Sequence, residues 1–180
     1  ALGFARRAYE ITPDADQLEL LESWSRAASS WGPFVEAVEA RLKKRDDLDP
    51  ALERALKLKL ADAYARELGK IDEAVTTYRE IVSADPHDAD VIQAFDTLLR
   101  GAERQADLRW LYGVRVEAAE PARRAEIYEE WVTLEEDVFG NAKDAIELYK
   151  KATELEPTRG DALRALSRLL LAAGDFKTAA

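Results

Sequence analysis

GKIDEAVTTYREIVSADP, Gly69 to Pro86, and GNAKDAIELYKKATELEP, Gly140 to Pro157, decide the fold. The two stretches are equally long, lie 71 residues apart, and share Gly, Ala, Tyr and Pro at identical offsets while most of the rest has changed. Ala74 and Tyr78 stand four apart on one face of a helix, and Ala145 and Tyr149 repeat the spacing. A small Ala lets a paired helix approach closely, and the Tyr fills the groove beside it, so both tyrosines are expected to be largely buried. Gly69 and Gly140 close one helix, while Pro86 and Pro157 follow the next. Each stretch therefore reads as the second half of a helical hairpin.

Working outward, Ala1 to Pro13 spans the same interval as Ala74 to Pro86, and GDFKTA at Gly174 to Ala179 matches the opening GKIDEA. A second kind of hairpin, Asp88 to Ala118, lies between the copies. Its Ile92, Phe95 and Leu99 align with Leu163, Leu166 and Leu170 at the 71-residue offset, and Leu18 and Leu21 align with Ile92 and Phe95 at 74. The period thus holds two hairpins of about 34 to 37 residues each. Apolar periodicity predicts helices over Leu2 to Ile11, Asp16 to Ala28, Phe34 to Arg45, Pro50 to Leu68, Ile71 to Ala84, Asp88 to Arg100, Ala106 to Ala118, Pro121 to Phe139, Ala142 to Leu155 and Gly160 to Ala173. No segment alternates with the period of a strand. Pro50 and Pro121 suit the first helical position, and Gly69, Gly101, Gly140 and Gly174 stand where a chain leaving a helix needs a left-handed residue.

Hairpins of this length, with Gly, Ala, Tyr and Pro at these spacings, resemble the tetratricopeptide repeat family across essentially the whole chain. The resemblance implies an all-α, right-handed superhelix of about five hairpins whose inner groove binds peptides or proteins. The helices beginning at Pro50 and Pro121 are longer than the family's usual first helix. A lone hairpin cannot cover its apolar face, so such units stack, and the stack exposes a long concave surface. The expectation is a single solenoid domain over residues 1–180, cut from a longer repeat-containing chain, with apolar end faces able to self-associate.

Composition narrows the function. The chain has 180 residues, 47% apolar and 34% charged, enough for a sizeable core. No apolar run approaches the roughly 18 residues of a membrane span, which predicts a soluble domain without membrane insertion. The net charge of -10 is spread evenly, with 19 acidic against 13 basic residues up to Asp90 and 17 against 13 beyond it. Such a field repels phosphate backbones, so no nucleic-acid partner is expected, and an RNA-reading helical repeat ranks below the protein-binding readings. Cysteine is absent, which removes disulfides and thiolate sites but leaves the compartment open, with the cytoplasm slightly favoured.

Catalytic groups are sparse, and no enzyme, metal or cofactor is expected. His87, the one histidine, follows Pro86 and reads as a solvated turn residue. Ser23, Ser25, Ser29 and Ser30 lack an elbow glycine and a base and read as caps. The carboxylates Asp46, Asp47 and Asp49, and Glu135, Glu136 and Asp137, do not follow a calcium-loop pattern and read as solvated faces. The basic run Arg41 to Arg45 suits a helix C-terminus. Of Trp24, Trp31, Trp110 and Trp131, Trp31 aligns with Phe176 at a hairpin turn, which favours packing.

One pattern points to binding. Arg26, Arg66 and Arg100 end the first helices of three successive hairpins, in a column that the family resemblance turns toward the groove, and each follows an acid by four residues: Glu22, Asp62 and Asp96. Pairs at that spacing stabilise a surface helix by about 0.2 to 0.5 kcal/mol each, a sufficient reason for them without any ligand. The functional reading is an arginine ladder, joined by Lys59, Arg164 and Arg168, that grips carboxylates of an acidic peptide. The paired-asparagine clamp that some family members use for a terminal carboxylate is not expected, since Asn141 is the sole asparagine and sits at a turn. The expected role is a non-catalytic protein-interaction scaffold, with a structural spacer or oligomerisation arm as the alternative.

Overall fold

The computed structural model describes residues 1–44, 48–158 and 160–174. The expectations placed on Arg45, Asp46, Asp47 and Phe176, and on most of the GDFKTA match, lie outside these residues. The described residues form ten α-helices and no strand. The chain divides into two compact units, Ala1–Asp85 and Pro86–Ala180.

The first unit holds α1 (Leu2–Ile11), α2 (Ala15–Ala27), α3 (Gly32–Lys43), α4 (Pro50–Asp62) and α5 (Ile71–Ala84). Asp14 caps α2 by accepting from the Gln17 amide at 2.8 Å, and Asp49 does the same for α4 through Leu52, immediately before Pro50 at the first helical position. These carboxylates satisfy amide donors that the helix leaves unpaired. Helix α1 packs on α2 and α3, α3 on α4, and α4 on α5. The core runs through Ala5, Leu21, Phe34, Val38, Leu56, Ala74, Tyr78 and Val82. Trp31 is buried edge-on against Phe34, with centroids 5.4 Å apart, as its packing assignment requires. Tyr78 is 3% exposed beside Ala74.

The second unit holds α6 (Ala89–Gly101), α7 (Gln105–Ala118), α8 (Pro121–Thr133), α9 (Ala142–Leu155) and α10 (Gly160–Ala172), each packed on the next. Asp88 caps α6 through the Val91 amide, and Asn141 caps α9 through Asp144. Phe95, Leu99, Leu108, Leu111, Val132, Ala145 and Leu148 fill the core. Tyr149 is less completely buried than Tyr78: it packs on Val132, Ala145 and Leu148 at the edge of the core, its hydroxyl donating to Glu136 at 3.3 Å.

The length of the helices starting at Pro50 and Pro121 has a structural cause. Both run on into one π-helical turn, Ala63–Glu67 and Leu134–Val138, at positions related by the 71-residue offset. The closing bonds repeat as well: Leu68 to Ala63 and Lys70 to Tyr64 in the first copy, Phe139 to Leu134 and Asn141 to Glu135 in the second. Gly69 and Gly140 then turn the chain at φ +64°, a conformation that costs a side-chain-bearing residue more than glycine.

Three sequence expectations are corrected. Gly101 is not a left-handed cap; it belongs to α6, and Glu103 takes the positive φ of 55° because the chain leaves the helix two residues later. The serines do not cap: Ser23 bonds back to the Leu20 carbonyl, Ser25 is buried with an unpaired Oγ, and Ser29 turns the chain at φ 48°. Glu135 is no solvated carboxylate. The π turn rotates it inward, where it is 1% exposed and accepts from Nε and Nη2 of Arg109, both at 2.7 Å, and from the Trp131 indole at 3.0 Å.

Candidate functional site

In the first unit, α2 and α4 gather three of the cations singled out by sequence. Glu22 accepts from Arg26 Nη2 at 3.0 Å and from Lys59 Nζ at 2.5 Å, so one carboxylate serves two cations on different helices. Arg66, in the π turn, reaches Asp62 at 3.4 Å. The three line a cleft of about 150 Å³ with Trp31 and Phe34 beneath. Arg26 and Arg66 keep 67% and 72% of their side chains exposed, and each has guanidinium donors beyond the one used. Glu22, Asp62 and Glu67 match the three cations in number, so the cleft lining carries no net charge.

In the second unit the predicted cations are held separately. Arg100 bonds Asp96 at 2.5 Å and the Tyr112 hydroxyl at 3.1 Å, and the Asp96 bond raises its pKa against the opposing effect of burial. Arg164 pairs with Asp161 inside the first turn of α10. Arg168 reaches Glu136 in the π turn at 2.7 Å, the carboxylate that also accepts from Tyr149. All three sequence-expected acid-to-arginine pairs, at Arg26, Arg66 and Arg100, are formed.

Sequence reading missed a larger cleft in this unit, about 540 Å³, between α6 and α8 with α7 as its floor. Ile92 and Ile127 face it from the two walls, and Tyr112 and Arg115 rise from the floor. The Arg115 guanidinium lies 4.7 Å over the Tyr112 ring and donates to Glu130 at 2.6 Å. The period of α8 carried a signal, since Arg123, Ile127 and Glu130 share one helical face, but only the structure sets α6 opposite them. His87 lies exposed at the mouth.

Burial also moves the phenols. Desolvation, then the negative charge of Asp62, pushes Tyr78 up to about 12, and desolvation followed by Glu136 pushes Tyr149 up to about 12. Tyr64, desolvated and bonded to Glu39, is raised further. Among the described residues no group of His, Asp and Glu is placed to hold a metal ion, and no helix is long and apolar enough to cross a membrane.

Two tetratricopeptide repeat models match the chain, one over residues 55–88 and the other over 139–180. Each overlaps one of the two sequence copies and the Tyr that marks it. Both stretches are tetratricopeptide repeats. Tetratricopeptide repeats supply protein-interaction scaffolds, and that general class applies here. Among solved structures, BtubC (BKLC) from P. vanneervenii is 18% identical, covering 99% of this chain and 82% of that one, with a TM-score of 0.47. A MamA crystal structure is 17% identical over 86% of this chain and 85% of its own, at 0.44. MamA 41-end from Desulfovibrio magneticus RS-1 is 19% identical over 92% and 88%, at 0.45. All three scores fall below 0.5, so the family assignment rests on the repeat matches. No curated protein matches the chain.

Proposed function

We propose that this tetratricopeptide repeat protein is a non-catalytic scaffold that holds an acidic segment of a protein partner. The observation that carries the reading is the pair of exposed guanidinium groups, Arg26 and Arg66, flanking Lys59 over an aromatic floor in one cleft. Charge-assisted bonds from such groups to carboxylates are stronger than neutral ones and directional. Arg100, Arg164 and Arg168, in the second unit, are single cations already paired with Asp96, Asp161 and Glu136. Nucleic acid is disfavoured as partner by the net charge of -10.

The test is affinity capture of partners by the wild-type protein and by R26Q/R66Q/R100Q, at low and at physiological salt. An acidic partner should be lost on raising salt and lost in the variant, because exposed charge pairing is screened beyond about 8 to 10 Å at physiological ionic strength. Capture unaffected by the variant rejects these residues as the site.

A second reading, assembly of copies through end hairpins, is favoured by Phe4 and Ile11 on α1, 76% and 82% exposed, and by Leu163 and Leu171 on α10. Sedimentation of Phe4→Ser/Ile11→Ser against the wild type tests it. A concentration-independent monomer in both removes this reading.

A further inference from the structure

The 71-residue repeat places a pair of like-charged flanking residues twice, acidic in the first copy and basic in the second. In the first unit Lys57 is central, 13% exposed, its Nζ 2.8 Å from Glu53 and 2.9 Å from Glu80. It closes a cleft of about 310 Å³ between α4 and α5, beside Ile81 and Ala84. The equivalent positions in the second unit are Arg124 for Glu53, Tyr128 for Lys57, Lys151 for Glu80 and Leu155 for Ala84. They line a cleft of about 520 Å³ formed by α7, α8 and α9. The flanking anions have become cations, but the central cation has become a neutral phenol.

Neither flanking cation has a carboxylate partner among the described residues. Arg124 uses only Nε, donating to the Ala119 carbonyl at 2.9 Å, and Lys151 Nζ lies 5.8 Å from the Tyr128 ring centroid. Two like charges flanking one site repel unless an opposite charge lies between them, as Lys57 does in the first copy. We propose that the α7–α8–α9 cleft is a second docking surface, and that the carboxylate of an Asp or Glu in a partner protein's segment takes the place of the missing central ion, between Arg124 and Lys151 and over Tyr128.

Val116 and Leu155 give the neighbouring side chains of that segment an apolar seat. Glu117 and Glu154 on the same rim oppose a dense polyanion, which selects an isolated carboxylate over a phosphate backbone. The surface is separate from the α6–α8 cleft: Arg124 and Tyr128 each follow by one residue the Arg123 and Ile127 that line that cleft, which turns them about 100° around α8.

The test is titration of the isotope-labelled chain with a synthetic peptide that carries one glutamate between leucines in an otherwise uncharged serine sequence, read at the amide resonances of Tyr128 and Lys151. Saturable shifts are expected with this peptide and not with its glutamine analogue. R124Q/K151Q should weaken binding by roughly tenfold, as the loss of two exposed charge pairs would. Tyr128→Glu should mimic the missing carboxylate and weaken binding likewise, while Tyr128→Gln, which removes the same ring without adding charge, should bind more tightly than Tyr128→Glu. Equal affinity of Tyr128→Glu and Tyr128→Gln, or unchanged affinity of R124Q/K151Q, overturns the proposal. Inorganic phosphate competing as well as the peptide overturns the protein carboxylate as occupant. R26Q/R66Q should leave these shifts untouched, so failure of the first-unit site and failure of this one are separately visible.

Discussion

Glu135 is buried in the second unit with both oxygens engaged by Arg109, Nε to Oε1 and Nη2 to Oε2, each at 2.7 Å. This fork joins the π turn after α8 to α7 in the preceding hairpin, and the Arg109 guanidinium also lies 4.8 Å over the Phe139 ring. The equivalent position in the first unit is Tyr64, whose hydroxyl donates to Glu39 on α3. In both copies, then, the second residue of the π turn reaches back to the previous hairpin's second helix, once as donor and once as acceptor. The bond is a tie between repeats.

Removing one member of the Arg109–Glu135 pair should be costly. Arg109→Ala leaves an uncompensated buried carboxylate and is expected to destabilise the chain by about 3 to 5 kcal/mol, whereas R109M/E135L should cost much less, since replacing a buried pair by apolar residues of similar volume is often neutral. Chemical denaturation of the two variants checks this. Equal losses would mean that packing around the pair, and not its charge, sets the stability.

The two marker tyrosines should no longer behave alike. Tyr78→Ala empties a closed core position and should cost about 3 to 5 kcal/mol. Tyr149 is less completely buried, so Tyr149→Ala should cost less, roughly 1 to 2 kcal/mol, in line with the smaller area returned to water. Denaturation midpoints that rank them the other way would show that the Glu136 hydroxyl bond outweighs burial.

Alkaline pH should destabilise the fold through these same phenols. Each has its folded pKa near 12, above the ordinary value of 10, so the folded state favours the protonated ring. The stability this represents is fully present below pH 10 and is lost as pH rises from 10 through 12, because the unfolded chain releases those protons first. Tyrosinate absorbance should therefore show a group of phenols titrating late, and they should titrate normally in denaturant. Uniform titration near 10 in the folded protein would contradict their burial.

The repeat, the helix starts and the hairpin class were legible because local chemistry sets them. Asp49-Pro50 and Glu120-Pro121 start helices whatever lies around them, and the Ala74–Tyr78 face needs only its own helix to be recognised. The acid-to-arginine pairs were legible for the same reason, all being four residues apart. Glu135 was not, because its partner lies 26 residues away on α7 and three successive carboxylates look solvated until a π turn aims one inward. Lys59 joining Glu22, 37 residues apart, and the α6–α8 cleft likewise depend on which helices become neighbours.

Turn chemistry gives the last prediction. Gly69 holds φ +64° with no atom near a would-be Cβ, so Gly69→Ala should be destabilising by about 1 kcal/mol from backbone strain alone. Gly101 sits inside the last turn of α6 with open space at its Cβ position, and Gly101→Ala should instead stabilise by about 0.5 to 1 kcal/mol, through helix propensity and a less free unfolded chain. Glu103 carries the left-handed residue of that turn, so Glu103→Gly should also stabilise, by relieving φ 55°. Thermal unfolding of the three single variants should give one lowered and two raised midpoints. A lowered midpoint for Gly101→Ala would return the turn to Gly101 and shorten α6 to end before it.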